Sequence, residues 1–188
     1  MPGRARIPGT ASLKDQKRSS LILPAVAALV LLADQATKYL VRVNLARGQS
    51  VELAPGLSHF FEITFVTNNG AAFGLFPNLG QFFVVIAVIV IVALVWYYLR
   101  LSDGHWLVQL ALGLQLGGAA GNLVDRLRSG GSVVDFIDLN FWPLHNWPVF
   151  NVADSSIVVG VTFLTVLMFW EEWQEERGNR QLATAEDD

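Results

Sequence analysis

Four apolar runs constrain this chain more than anything else in it. They cover about residues 21–41, 79–99, 106–124 and 152–170. Each has about 20 residues, the length that crosses a ~30 Å hydrocarbon core as a helix. The second and third carry no charge, the fourth carries only Asp154, and the first is interrupted by Asp34, Gln35 and Lys38. The composition agrees: 53% of the residues are hydrophobic and 15% are charged, against about 25% charged in a soluble domain. The expectation is an all-α integral membrane protein, four transmembrane helices with a small extracytoplasmic β-strand segment.

Residues 1–20 are polar and basic, with Arg4, Arg6, Lys14, Lys17 and Arg18 among prolines and glycines. They read as a disordered cytoplasmic tail, followed by one membrane domain over 21–172 and a second cytoplasmic tail over 173–188. The first run has a basic front but no small-x-small cleavage site, so it reads as a retained helix and not a signal peptide. Arg100 and the arginines of the two tails outnumber Arg42, Arg47, Arg126 and Arg128 on the other side. Basic residues favour the cytoplasm, which puts both termini there. The connection over 42–78 contains an alternating, aromatic and β-branched stretch that predicts a strand or hairpin. The connection over 127–150 pairs tryptophans with prolines, as suits a loop at headgroup level.

The polar residues of distant segments then fall at one depth. Asp34 lies roughly 20 Å into the first span at 1.5 Å per residue. Asn122, Asp125 and Arg126 end the third span, Asp154 begins the fourth, and Asp135 lies in the loop between them. Asp34 and Lys38, at i and i+4, are placed to form an ion pair. Arg126 can snorkel to the interface. Gly113, Gly117 and Gly121 recur every four residues, a stripe that lets another helix pack closely. If residues 133–141 are extended, Asp135 shares a face with Ile137 and Leu139, and Asp138 points the other way. Asp135 could then meet Asp154. Two carboxylates held close share a proton, one able to accept from water and the other to donate to a carbonyl. Equally, Asp154 could simply cap its helix. Spacing alone leaves both readings open.

Zinc chemistry has little support here. There is no cysteine, and His59, His105 and His145 lie far apart and outside any HExxH spacing. A small carboxylate-lined transporter or proton channel is the alternative class, though such proteins often show repeated halves and this chain has no repeat. An assembly subunit with buried ion pairs is a third.

Five blocks in order, DQATK at 34–38, NNGAAFG at 68–74, GNLVDR at 121–126, VVDFID at 133–138 and FNVAD at 150–154, resemble those of the lipoprotein signal peptidases. These are signal peptidase II enzymes, bacterial intramembrane aspartyl proteases. The resemblance covers about residues 21–172. It implies an endopeptidase that removes the signal peptide from diacylglyceryl-modified prolipoproteins, cutting on the amino side of the lipidated cysteine. It implies a multi-pass protein of the bacterial inner membrane, with its active site near the outer face. Carried over, the catalytic pair is Asp135 and Asp154. Asp34, Lys38, Asn68, Gly70, Asn122, Asp125, Arg126 and Asn151 support the site or bind substrate, and the segment from Gly70 to Gly74 cradles it. Asn68 is preferred to Asn69. The expected partners are prolipoproteins, membrane lipid and cyclic peptide inhibitors of the globomycin type, with no cofactor and no nucleic acid.

Overall fold

A computed structural model describes residues 21–70, 79–101 and 105–186, with side chains as far as residue 178. The basic stretch at 1–20 and the segment from 71 to Gly74 lie outside the described residues. The elements run α1 (Ile22–Asn44), β1 (Ser50–Val51), a single 3₁₀ turn (Leu57–His59), β2 (Phe61–Asn68), α2 (Gly80–Arg100), α3 (Trp106–Arg128), β3 (Val133–Leu139) and α4 (Val152–Glu186). All four α-helices are long and apolar enough to cross a membrane, and α4 continues as helix through the acidic stretch after Trp170.

The helices are arranged around α3. More than half of the residues in its apolar window are buried by protein, whereas none in that of α2 is fully buried. The reason is compositional. α2 is an unbroken apolar helix with no small-residue seam, suited to lipid on most sides. α3 carries glycines where neighbours press in. A methyl group at Gly113 would lie 2.9 Å from Val26 Cβ, and one at Gly117 would lie 2.7 Å from both Ala27 O and Val30 Cβ. The stripe is therefore the seam against α1, as its spacing predicts. At Gly121 the close neighbour is the Asp34 carboxylate, 2.5 Å from where a Cβ would sit. The last glycine of the stripe thus makes room for a polar group. A second seam, Gly118 against Ala153 and Gly160 against Ala111, joins α3 to α4.

At one end of the bundle lies a three-stranded antiparallel sheet in the order β1-β2-β3. Its strands are rich in Val, Ile, Thr and Phe, whose side chains suit a pleated surface. Val41 from α1 packs with Phe65, Val134 and Phe136 of the sheet, which anchors the sheet to the helices. The strand predicted in the first connection thus pairs with the extended segment of the second.

Gly117→Val should force α1 from α3 and cost about 1–3 kcal/mol, as overpacking does. The measurement is thermal unfolding in detergent. A variant melting with the parent would mean that the seam is looser than these distances say.

Candidate active site

The site is built from the stretch 133–154, which closes on itself. Phe136 and Ile137 donate their N–H groups to the Phe150 carbonyl at 2.9 and 2.8 Å, and Phe150 N–H returns to Ile137 O at 3.1 Å. The chain leaving β3 is thereby brought back beside it, and α4 starts next to Asp135. Asn151 occupies the N-cap position of α4, its Oδ1 accepting the Asp154 N–H at 2.9 Å. This decides the alternative left open by spacing. The cap is Asn151, an ordinary capping residue, and the Asp154 carboxylate is directed elsewhere.

Each aspartate has one oxygen held by an asparagine amide. Asn122 Nδ2 donates to Asp154 Oδ1 at 2.7 Å, and Asn151 Nδ2 donates to Asp135 Oδ1 at 2.6 Å. The two asparagines also meet, at 3.3 Å from Asn151 Nδ2 to Asn122 Oδ1. Asn68 adds a further side-chain hydrogen bond to Asp135. Strand register explains it. Asp135 pairs with Val66, so Asn68, two residues on, lies diagonally across on the same face. The Asn68 oxygen accepts the Gly70 N–H at 2.9 Å, which turns its amide end toward Asp135. Asn69 is exposed and accepts from Ser132 Oγ at 2.6 Å.

Beneath the pair lies a buried charge cluster. Lys38 and Asp34, both with no solvent exposure, are 2.9 Å apart, and Lys38 Nζ is 3.2 Å from Asp125. The third Lys38 donor reaches Asn122 Oδ1 at 3.0 Å. Asp34 Oδ1 accepts the Ala153 N–H at 3.0 Å, and Asp125 Oδ2 accepts the Val134 N–H at 3.1 Å. The sequence showed only the local Asp34–Lys38 pair. Its reach into the starts of α4 and β3 is tertiary. Arg126 does not snorkel. It turns inward, with Nη2 3.4 Å from Gly70 O and its guanidinium 5.6 Å from the centre of the Phe83 ring. All ten residues singled out from the sequence thus join one hydrogen-bonded network. Asp138 stands outside it, accepting from Thr64 Oγ1 at 2.8 Å.

Two cavities meet at Asp135. One of about 510 Å³ is lined by both Asp135 and Asp154 and walled by Leu139, Leu144, Trp147, Phe150, Ile157 and Val158. The other, about 330 Å³, runs along β2 past Thr67, Asn69 and Gly70. Asn68, Asp135, Pro148 and Val149 belong to both. An extended chain passing from one to the other crosses the Asp135 carboxyl.

Asp135 is 2% exposed, and its pKa is pushed up to about 7. Burial is the larger cause and the nearby Asp154 charge the second, opposed by the hydrogen bonds from Asn151 and Asn68. An unfolded aspartate titrates near ~3.9. The folded state therefore holds this proton more tightly. That contribution to stability is fully present below the unfolded value and is lost as pH rises through about 7. Asp135→Asn cannot ionise and escapes the loss. Its melting temperature should gain on the parent's between about pH 5 and pH 8, and a constant difference across that range would contradict the burial account.

The chain matches known proteins over most of its length. A family model described as signal peptidase (SPase) II, Peptidase_A8, matches residues 26–170. The chain is 40% identical over 161 residues to a Geobacter metallireducens protein named lipoprotein signal peptidase, covering 84% of this chain and 96% of that one. It is 47% identical over 139 residues to a Moorella thermoacetica protein of the same name, covering 74% and 87%. A solved structure titled as a bacterial membrane enzyme, determined by the in meso method at 2.3 Å resolution, aligns with a TM-score of 0.72 at 36% identity, covering 80% of this chain and 88% of that one.

Proposed function

The chain belongs to the signal peptidase II family, and we propose that it removes signal peptides from diacylglyceryl-modified prolipoproteins by aspartyl chemistry at Asp135 and Asp154. One observation carries the reading: both carboxyls line one cavity, each with its Oδ1 tied to an asparagine amide. The pair shares one proton. The ionised carboxylate takes a proton from a water molecule as that water attacks the scissile carbonyl. The protonated carboxyl donates to the carbonyl oxygen, giving a neutral diol. Collapse of the diol transfers a proton to the nitrogen of the lipidated cysteine and breaks the C–N bond. The aspartates end with one proton between them. General acid–base help of this kind is worth about 10²–10⁴ in rate.

The remaining residues serve position. Asn122 and Asn151 fix the two carboxyl planes, and Asn68 and Gly70 line the track along β2. Arg126 lies where it can meet substrate carbonyls beside Gly70. A helical peptide bond is shielded by its own hydrogen bonds, so the substrate has to enter extended, and the two adjoining cavities fit such a strand. The apolar cavity leads to the exposed Val158 and Val159 of α4, which would leave the acyl chains in lipid. With both termini cytoplasmic, the sheet and the aspartates sit at the outer face of the inner membrane. A cyclic lipopeptide of the globomycin type would fill the same space.

The test is cleavage of a lipidated prolipoprotein by the purified full chain in detergent. Asp135→Asn and Asp154→Asn should each lower turnover by about a thousandfold or more while inserting normally, and Asp138→Asn should keep most of it. Near-parental cleavage by either dyad variant would sink the aspartyl mechanism. Solute flux in proteoliposomes without cleavage would point to a transporter instead.

A further inference from the structure

The buried charges around Lys38 sum to zero only when Arg42 is counted with them. Asp34, Lys38 and Arg42 follow one another every four residues, on one stripe of α1 facing Gly121, Asn122 and Asp125 of α3. Arg42 Nη2 lies 2.6 Å from Asp125 Oδ1. Asp125 has no exposure, and the Arg42 side chain is 30% exposed. The two Asp125 oxygens are divided between partners. Oδ1 faces Arg42, with a longer approach from Gln35 Nε2 at 3.4 Å, and Oδ2 takes Lys38 at 3.2 Å and Val134 N–H at 3.1 Å.

We propose that Arg42 is a positioning residue for the aspartate pair, the fourth member of a neutral charge lock that leaves Lys38 free to hold Asn122. The inference rests on reading Asp135 and Asp154 as the catalytic pair. Lys38 has three N–H donors and uses them on Asp34, Asp125 and Asn122. Without Arg42, two buried carboxylates compete for one ammonium. Charged acceptors form the stronger hydrogen bonds, so the neutral Asn122 oxygen is the partner that loses. That oxygen is what orients the Asn122 amide toward Asp154. With Lys38 withdrawn, that oxygen keeps only the longer 3.3 Å contact from Asn151 Nδ2; the amide can then turn and present oxygen to a carboxylate, and Asp154 loses its orientation. The damage is to the chemical step, with substrate contacts left intact.

The geometry also predicts a reciprocal rescue. In Asp125→Asn the Oδ2 position can remain oxygen and keep Lys38 and Val134, but the Oδ1 position becomes an amide facing the guanidinium. In the double variant Arg42→Met with Asp125→Asn, that amide faces an apolar side chain and the cluster is neutral again. Kinetics of the purified full chain in detergent, on a lipidated prolipoprotein, read this directly. Arg42→Met should lower kcat by about tenfold to a hundredfold with KM within about twofold, as misplacement of a reacting group does. Arg42→Lys should recover most of the loss, because a single nitrogen makes the contact. The double variant should turn over faster than either single change. Parental kcat in Arg42→Met, or a double variant no better than the worse single, overturns the lock. Should Arg42→Met fail to accumulate, an active double variant supports the lock and an inactive one refutes it. A parent chain that leaves the substrate uncut refutes the catalytic reading instead. The lock then stands or falls on whether the double variant melts above both singles.

Discussion

An ammonium group with no access to solvent is the constraint on which the rest of this structure depends. Isolated in a low-dielectric interior, Lys38 would be prohibitively costly. It is paired with Asp34 and Asp125, one from its own helix and one from α3. Removing one partner of such a pair typically costs about 3–5 kcal/mol. α1 and α3 therefore have to meet at this depth and in this rotation. The glycine seam permits it, since a side chain at Gly117 or Gly121 would hold the helices apart. Packing and electrostatics specify the same interface.

From this cluster the ordering spreads outward. Asp34 receives a backbone N–H from the first turn of α4 and Asp125 one from the start of β3. Those are the two segments that carry the aspartates of the pair. Neither Asp135 nor Asp154 touches the charge cluster directly. Asn122 and Asn151 stand between, converting the positions of buried charges into the orientations of two carboxyl planes. The result is a pair whose members differ: Asp135 is nearly sealed and Asp154 is partly open to the cavity. Such a difference separates the roles of two otherwise equivalent acids.

Much of the architecture was legible in one dimension. Run length and the absence of charge in 79–99 and 106–124 require membrane-length helices. Period two across 133–139 separated Asp135 from Asp138, and the strand keeps them apart. The glycine period predicted a helix seam. The ten site residues came from the resemblance of five ordered blocks. Arg42 was passed over as a basic residue bearing on orientation only. A signal for it was present, since Asp34, Lys38 and Arg42 follow at i, i+4 and i+8 along one helix face with one acid to two bases, but its partner Asp125 lies far away in sequence.

The sequence alone determined which segments are helices, which faces are small enough to touch and which polar residues share a depth, because these follow from local periodicity and the dimensions of a bilayer. Only the tertiary structure decided who bonds to whom. Asn151 rather than Asp154 caps α4 because the Phe150 backbone closes onto β3 and sets the helix start there. Arg126 turns into the site because the fold brings the Gly70 carbonyl and the Phe83 ring, both remote in sequence, within its reach. Lys38 governs an asparagine on another helix because a buried ammonium has three donors to satisfy, and only the folded chain supplies the third acceptor.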